Sequence, residues 1–294
     1  MKKIYYIAVV FAILFLAGCG DGIDLPGVNV ETDLNKIPLP DNNVNLEQVE
    51  LKPSTEPMLH EGLHTEEDFQ RIRDKKAAGE EPWVSAYQLL VESQFSQKTA
   101  DTYPTEWIKR GVSGDENYMN AARGATIAYQ QALRWKIEQD DEYAAKAVEN
   151  LNKWVQTCVG VTGNTNLSLA AGLYGYEFAI AGELLRDYEG WDRADFAAFQ
   201  NWLLKVFYPA NDDFLKRHHD TNALHYWANW CLCNIAAKMA IGIGTDRRDI
   251  YNEGIAHLQT GDTNGRLRRA IYHDYAPDYN FAQWQESGRD QGGR

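Results

Sequence analysis

Apolar residues recur every three or four positions along most of the chain after residue 65, as they do on one face of an α-helix. Phe199, Trp202, Leu203 and Val206 give one example of this spacing. The pattern predicts helices over residues 65–78, 82–93, 117–139, 142–158, 169–188, 193–207, 222–241 and 247–258. No segment shows a convincing alternation of polar and apolar residues, which a half-buried β-strand would have.

The predicted helices follow one another through short loops that contain Gly, Asp and Pro, a succession typical of helix hairpins. An α-solenoid and an α/α toroid are both built in this way. Solenoid families carry a repeat of fixed period, and none is visible in this sequence. We therefore predict an all-α fold, an incomplete α/α toroid, for residues 58–294.

The first residues have the pattern of an export signal. Lys2 and Lys3 precede an apolar run over residues 4–16, which is shorter than the roughly 20 residues of a membrane-spanning helix. A run of about 7–15 apolar residues is typical of a signal-peptide core. The run leads through Leu-Ala-Gly to Cys19, the pattern of a lipobox. Residues 1–18 are therefore predicted to be a signal peptide, the alternative being an ordinary secreted protein with a chance cysteine.

In this interpretation the peptidase cuts before Cys19, which carries the lipid, and several acyl chains together anchor a protein stably. Residues 19–57 contain five prolines and many Asp and Asn without helical periodicity, so they are predicted to form an extended tether. Asp21 and Asp24 resemble the surface-export signal of Bacteroidetes lipoproteins. The prediction is a cell-envelope lipoprotein of the outer membrane, on its periplasmic face or at the cell surface.

Charge and cysteine content restrict the partners. The formal net charge of -13 argues against a nucleic-acid partner, although a locally basic cleft can still bind an anionic substrate. Cys158, Cys231 and Cys233 are too few for a disulfide framework, and the last two are too closely spaced for a zinc knuckle. They are predicted to be small buried apolar residues.

Residues 216–230 concentrate candidate chemistry, with three histidines, two asparagines and two basic residues at the start of a predicted helix. His225 and Asn229 are four positions apart and are therefore expected on one helix face. Because a helix N-terminus favours anions, a carboxylated sugar is a suitable ligand. In the alternative interpretation the segment is a capped helix, in which Trp227 and Trp230 belong to the core and His225 is a satisfied buried histidine.

A second cluster closes the chain, at residues 272–291, and is polar, aromatic and irregular. It contains Tyr275, Tyr279, Glu286 and Arg289. Polar and aromatic loops on a helical scaffold often carry function, and the alternative is a solvated loop.

At these two clusters the chain resembles the Bacteroidetes alginate-lyase-like polysaccharide lyases. The motifs that carry the resemblance are HYWANW at residues 225–230 and QWQESGRDQ at residues 283–291. LHTEEDF at residues 63–69 and AAGLYGYEF at residues 170–178 are also similar to family segments. The resemblance covers residues 58–291 and implies an α/α toroid.

The resemblance also implies an activity, the cleavage of a uronic-acid polysaccharide such as alginate or glucuronan by β-elimination, without a metal or other cofactor. In this family an asparagine, a histidine, an arginine and a tyrosine neutralise the substrate carboxylate and move the protons. Carried onto this chain, these roles fall to Asn166, His225, Arg289 and Tyr279.

Further residues are implied as substrate-binding: Trp227, Asn229, Tyr275 and Glu286. Asn229 is also the reserve for the neutralising asparagine, and Tyr275 is the alternative catalytic tyrosine.

Relatives of this kind continue past the QWQESGRDQ motif with another histidine and more helices, whereas this sequence ends at Arg294. The resemblance therefore predicts a C-terminally truncated domain. Two other functions stay open: a surface glycan-binding lipoprotein with impaired catalysis, and an α/α-toroid glycoside hydrolase. The hydrolase would use two carboxylates, for which Asp220 and Glu286 are the candidates.

Overall fold

The computed structural model describes residues 60, 62–226 and 228–272. The helices in the described chain are α1 (Glu66–Ala77), α2 (Trp83–Glu92), α3 (Tyr118–Glu138), α4 (Asp141–Thr157), α5 (Leu167–Leu184), α6 (Arg193–Val206), α7 (Tyr208–Arg217), α8 (Ala228–Gly244), α9 (Arg248–Thr260) and α10 (Leu267–Tyr272). Two short strands, β1 (Trp107–Arg110) and β2 (Gly160–Gly163), precede α3 and α5. The fold is therefore all-α, as the helical periodicity predicts.

Local sequence signals place several helix ends where the pattern predicts them. The Thr65 hydroxyl accepts a hydrogen bond from the Asp68 backbone N–H (3.1 Å), and the Asp68 carboxylate accepts one from the Thr65 N–H (3.0 Å). This reciprocal capping box fixes the start of α1. Asp140 and Asp192 cap α4 and α6 in a similar way, with carboxylates that accept hydrogen bonds from first-turn N–H groups.

The helices form two layers. α3, α5 and α8 pack side by side in one layer, and α4, α6 and α9 lie in the other. In the second layer α4 packs against α3, α6 against α4 and α5, and α9 against α8. Early in both helices, Gly172 of α5 lies against Cys233 of α8, and later in both helices Ala179 of α5 lies against Gly244 of α8. α5 and α8 are therefore parallel.

The same relation holds between α3 and α5. Tyr118, the first residue of α3, stacks on Tyr174 in the first half of α5, and Trp135, near the end of α3, meets Tyr188 just after α5. The N-termini of α3, α5 and α8 consequently lie at one end of the molecule, and their C-termini at the other. Alternating helices in two layers are what helix hairpins produce, and the closed or open toroid itself stays a prediction.

Large aromatic residues fill the space between the two layers. Phe178 on α5 is fully buried, with its ring centroid 5.3 Å from that of Trp154, 5.1 Å from that of Trp202 and 5.9 Å from that of Phe207. Burial of one such side chain stabilises a fold by about 1.5–3 kcal/mol. This cluster therefore stabilises the packing of the two layers against each other.

Glycine allows α5 to approach α8 closely. A Cβ on Gly172 would lie 2.6 Å from the Cys233 Sγ and 3.0 Å from the Cys233 carbonyl carbon. Cys158, Cys231 and Cys233 are all buried and form no disulfide, which confirms their prediction as small core residues. Among the described residues, no helix has both the length and the apolar character that a membrane span needs.

Three features differ from the sequence prediction. Neither α7 nor α10 was predicted, the strand pair falls in segments taken as loops, and α8 begins at Ala228 instead of residue 222. The strands pair in parallel, with Trp107 opposite Gly160 and Arg110 opposite Gly163. They bring together the chain segments that enter α3 and α5.

Candidate functional site

The end of the molecule that carries the N-termini of α3, α5 and α8 also carries most of the predicted site residues that the structure describes. Exposed helix N–H groups give such an end a partial positive charge, which favours anionic ligands. Large apolar side chains are exposed around the strand pair: Trp107 is 41% exposed, Met119 48% and Val159 57%. We call the layer formed by α3, α5 and α8 the inner layer, and this region its N-terminal end.

Asn166 lies immediately before α5, at the N-terminal end of the inner layer. The Asn164 side-chain oxygen accepts hydrogen bonds from both the backbone N–H and the side-chain amide of Asn166, each at 2.9 Å. The Asn166 side chain does not cap α5 and is half-buried. Its amide is therefore held in place by a local partner beside the helix N-terminus.

His225 occupies a turn before α8 and is exposed. The expectation that His225 and Asn229 share a helix face is wrong, because α8 begins only at Ala228. The Asn222 side chain accepts a hydrogen bond from the Leu224 N–H (2.9 Å), which favours a turn over a helix. The exposure of His225 also contradicts the alternative interpretation of a buried core histidine.

The Asn264 side chain holds the same turn from the other side. Its amide nitrogen donates to the carbonyl oxygens of Leu224 (3.1 Å) and Tyr226 (2.9 Å). These two bonds hold the backbone of the turn in place before α8 begins. The sequence spacing alone does not reveal this long-range contact.

Asn229 lies in the first turn of α8 and is half-buried. Its side-chain oxygen is shielded from solvent and has no hydrogen-bond partner within the described part of the chain. A buried polar atom without a partner costs about 1–3 kcal/mol, so a ligand that donates a hydrogen bond to it would recover part of that cost.

His219 is a residue of this region that the sequence reasoning passed over. Its Nε2 lies 3.0 Å from the Ser168 hydroxyl, in the first turn of α5, and its ring also bonds to the backbone of Thr165. Burial lowers the pKa of His219, opposed in part by Asp213, so the neutral imidazole is favoured. The ring therefore fastens the segment before α8 to the start of α5.

The backbone that carries His219 is unusual. His218, His219 and Asp220 have φ angles of 47°, 52° and 61°, in the left-handed region that non-glycine residues rarely enter. Burial lowers the pKa of His218 to about 4, and that ring packs 4.9 Å from Phe214. Such strained conformations persist only where the surroundings hold them, and they are frequent at functional sites. The three histidines in sequence were the available signal.

Three aromatic rings contact one another in sequence across this end, with Tyr226 between His219 and His225. The Tyr226 ring centroid lies 5.5 Å from that of His219 and 5.1 Å from that of His225. Since His219 contacts Thr165 and Ser168, this row of rings reaches the residues on both sides of Asn166. The structure thus brings Asn166, His225 and Asn229 to one end of the inner layer.

The remaining predictions are not tested by the described structure. Asp220 is exposed, and its carboxylate accepts a hydrogen bond from Arg217 at 2.8 Å, whereas Glu286, its proposed hydrolase partner, lies outside the described residues. The other predicted residues outside them are Cys19, Trp227, Tyr275, Tyr279 and Arg289.

A cavity of about 760 Å³ lies away from this region, towards the C-terminal ends of the same helices. Ile180 and Leu184 on α5 and Met239 and Ile243 on α8 give it a largely apolar wall. The charged part of its lining is mainly acidic, with Glu66, Glu183 and Asp187 against Lys136, and like charges disfavour a polyanionic sugar. The chemistry suited to a sugar acid is therefore at the N-terminal end of the inner layer, and the cavity is a separate feature.

A group of half-buried titratable residues lies between the two ends. The His64 Nε2 and the Tyr129 hydroxyl are 2.6 Å apart. Burial raises the pKa of Glu177 to about 7, opposed in part by a hydrogen bond from Thr126, and burial lowers the pKa of His64. Within the described residues, no three His, Cys, Asp or Glu side chains are placed to hold a metal ion.

Comparison with known proteins gives one match. A family model described as alginate lyase matches residues 72–270, well over half of the chain. No curated protein and no solved structure matches. The matched region includes both layers of helices and every described residue of the N-terminal end of the inner layer.

Proposed function

The chain belongs to the alginate lyase family, and on this premise we propose that it cleaves a uronic-acid polysaccharide, such as alginate or glucuronan, by β-elimination. The family match over residues 72–270 is the observation that carries the proposal. The polar residues at the N-terminal end of the inner layer support it, because they suit an acidic sugar better than the apolar cavity does.

In the proposed reaction a base removes the proton from C5 of a uronate unit. A double bond forms between C4 and C5, the bond from C4 to the glycosidic oxygen breaks, and an acid protonates that oxygen. The C5 proton is a weak acid next to a carboxylate, so neutralising that carboxylate comes first. Amide, imidazole or guanidinium donors then stabilise the enolate-like charge as it develops.

We assign Asn166 to carboxylate neutralisation and His225 to proton transfer, with Asn229 as the reserve asparagine. Asn166 is supported by its place beside a helix N-terminus, and His225 by its exposure to solvent at the same end. The proposal keeps Tyr279 as the catalytic tyrosine and Arg289 as a second carboxylate ligand.

An anionic substrate is compatible with the acidic chain. The net charge of -13 belongs to the whole sequence, whereas the N-termini of α3, α5 and α8 give one end a local positive potential. The half-exposed Trp107 supports a sugar ligand, since an aromatic ring can pack against the apolar face of a pyranose.

We further propose that the protein acts in the cell envelope, anchored by lipid on Cys19 through the tether at residues 19–57. Metabolic labelling with a radioactive fatty acid tests this proposal. Label should enter the wild-type chain and be absent from Cys19→Ala, with the internal Cys158→Ala as the matched control. Equal labelling of wild type and Cys19→Ala would contradict the anchor.

The enzymatic proposal is tested by incubating the protein with alginate and with glucuronan. β-Elimination creates an unsaturated uronate that absorbs in the ultraviolet, so absorbance should rise together with new reducing ends. Reducing ends without absorbance would indicate a glycoside hydrolase. Saturable binding with neither signal would indicate a glycan-binding protein.

A further inference from the structure

Arg110 is the last residue of β1, and the sequence analysis did not identify it as a candidate site residue. Along this strand Ile108 is fully buried while Trp107 is exposed, so alternate side chains point inwards and outwards. Arg110 shares the inward direction of Ile108. Its guanidinium carbon lies 4.7 Å from the centre of the Tyr118 ring, at the first residue of α3.

The guanidinium has no counter-charge in the described part of the chain. The Arg110 side chain forms no hydrogen bond or ion pair there, and its Nη1 atom is shielded from solvent without an acceptor. Arg217, by contrast, bonds to both carboxylate oxygens of Asp213. An arginine that is half-buried and unpaired is costly, because its donors have lost water without gaining an acceptor.

The carboxylates nearest in sequence are already bound to other groups. Asp115 pairs with Lys109 at 2.6 Å, and Glu116 accepts a hydrogen bond from the Gly111 N–H at 2.5 Å. Neither is therefore the missing partner of Arg110. The positive charge of Arg110 also acts on Tyr174 of α5. Burial raises the pKa of Tyr174 to about 12, and Arg110 opposes this increase in part.

Arg110 therefore lies at the N-terminal end of the inner layer, close to both α3 and α5. Its charge also reaches Cys233, which lies four residues after Asn229 on α8 and so shares its helix face. The unpaired Nη1 donor of Arg110 and the unpaired Oδ1 acceptor of Asn229 are thus at the same end. A ligand with both a carboxylate and hydroxyl groups supplies the acceptor and the donor that these atoms lack.

We propose that Arg110 binds the carboxylate of a uronate unit at the N-terminal end of the inner layer, as a substrate-binding arginine additional to Arg289. The inference rests on the proposed function for its substrate class. A guanidinium matches a carboxylate with two parallel hydrogen bonds, which lysine cannot reproduce. The cation–π contact with the Tyr118 ring favours this position of the guanidinium before a ligand binds.

Binding of tetrasaccharides prepared from alginate and from glucuronan, measured by calorimetry on the full chain, tests this inference. Arg110→Met should weaken binding roughly 10- to 100-fold, and Arg110→Lys should lie between Met and wild type. A carboxyl-reduced tetrasaccharide should bind wild type and Arg110→Met equally. Arg123→Met is the matched control, since Arg123 packs on Tyr103 and bonds to Asn120.

The melting temperature separates this role from a structural one. The Arg110 guanidinium has no ion pair or hydrogen bond among the described residues, and a methionine can still pack on the Tyr118 ring, so Arg110→Met should unfold at the wild-type temperature. Unchanged affinity in Arg110→Met would overturn the inference, even if wild type eliminates uronans. If wild type binds uronans without eliminating them and Arg110→Met loses that affinity, the result would support the role of Arg110 and contradict the lyase proposal. Absence of uronate binding by wild type would overturn both.

Discussion

The two ends of the parallel helices α3, α5 and α8 satisfy their polar groups in opposite ways. At the C-terminal end, Arg186 donates to the last carbonyl groups of α8, those of Ile243 (3.1 Å) and Gly244 (3.0 Å), and also pairs with Glu183. At the N-terminal end, Arg110 and Asn229 keep buried atoms without a partner. The polar groups at the C-terminal end stabilise the fold, and we propose that those at the N-terminal end bind a ligand.

Of the substitutions that test this difference between the two ends, removal of the His225 side chain should have the largest effect. His225→Ala should lower kcat/KM for uronan elimination by about 10²- to 10⁴-fold, the range lost with a residue that transfers a proton. His60→Ala is the matched control, since His60 lies at the C-terminal end, 3.2 Å from both Glu183 and Asp246. Because His225 is exposed, its variant should keep the wild-type melting temperature. Equal losses in the two variants would remove the distinction between the ends.

Glu177 sharpens the comparison through the pH dependence of stability. Its folded pKa is about 7 against an ordinary value of 4.5, so the folded state holds its proton more tightly than the unfolded state. Wild type therefore loses stability as the pH rises through this interval, whereas Glu177→Gln does not. The variant should be more stable than wild type by about 2–3 kcal/mol near pH 8 and equal to it near pH 4.

Urea unfolding at the two pH values measures this difference. Glu183→Gln is a control on the same helix, where the carboxylate is paired with Arg186. That variant should be destabilised near pH 8 instead of stabilised. A Glu177→Gln variant with no pH-dependent gain would show that Glu177 is ionised in the folded protein at neutral pH.

Gly172 tests whether close packing of α5 against α8 supports the site. In Gly172→Ala the new methyl group meets the Cys233 side chain and backbone, so the helices must separate. We expect a loss of about 1–3 kcal/mol in the free energy of unfolding, together with weaker substrate binding. Gly62→Ala, whose nearest neighbouring atom would lie 3.9 Å away, should leave both quantities unchanged. Unaltered stability in Gly172→Ala would mean that α8 shifts freely.

Ser168 gives the smallest expected effect. Ser168→Ala removes the hydroxyl that contacts the His219 ring, at a cost of about 1 kcal/mol in the free energy of unfolding. The same change should raise KM more than it lowers kcat, because His219 positions the segment before α8 instead of reacting. A fall in kcat with unchanged KM would instead give His219 a part in proton transfer.

Periodicity predicted the helices well where one face packs on a neighbouring layer. The start of α1 and the end of α3 lie within two residues of their predicted positions, because capping groups and a left-handed residue, Gln139, mark them. α7 was not predicted, although Pro209 stands in its first turn, where proline is well tolerated. The strand pair carries Lys, Arg and Gly, and depends on contacts between distant segments.

The site shows the same limit. Asn166 and His225 were chosen through resemblance, and the structure places both at the N-terminal end of the inner layer. The helical relation between His225 and Asn229 failed because Asn264, far along the sequence, bonds to the turn before α8. Arg110 had no sequence signal, since only the folded chain reveals that a guanidinium lacks an acceptor.

Mass spectrometry of the oligosaccharides formed in heavy-oxygen water tests the central claim most directly. Elimination breaks the bond between C4 and the glycosidic oxygen without adding water. The account therefore predicts products with an unsaturated terminal uronate and no solvent oxygen at the new reducing end. Saturated products that carry one solvent oxygen for each bond cleaved would contradict it.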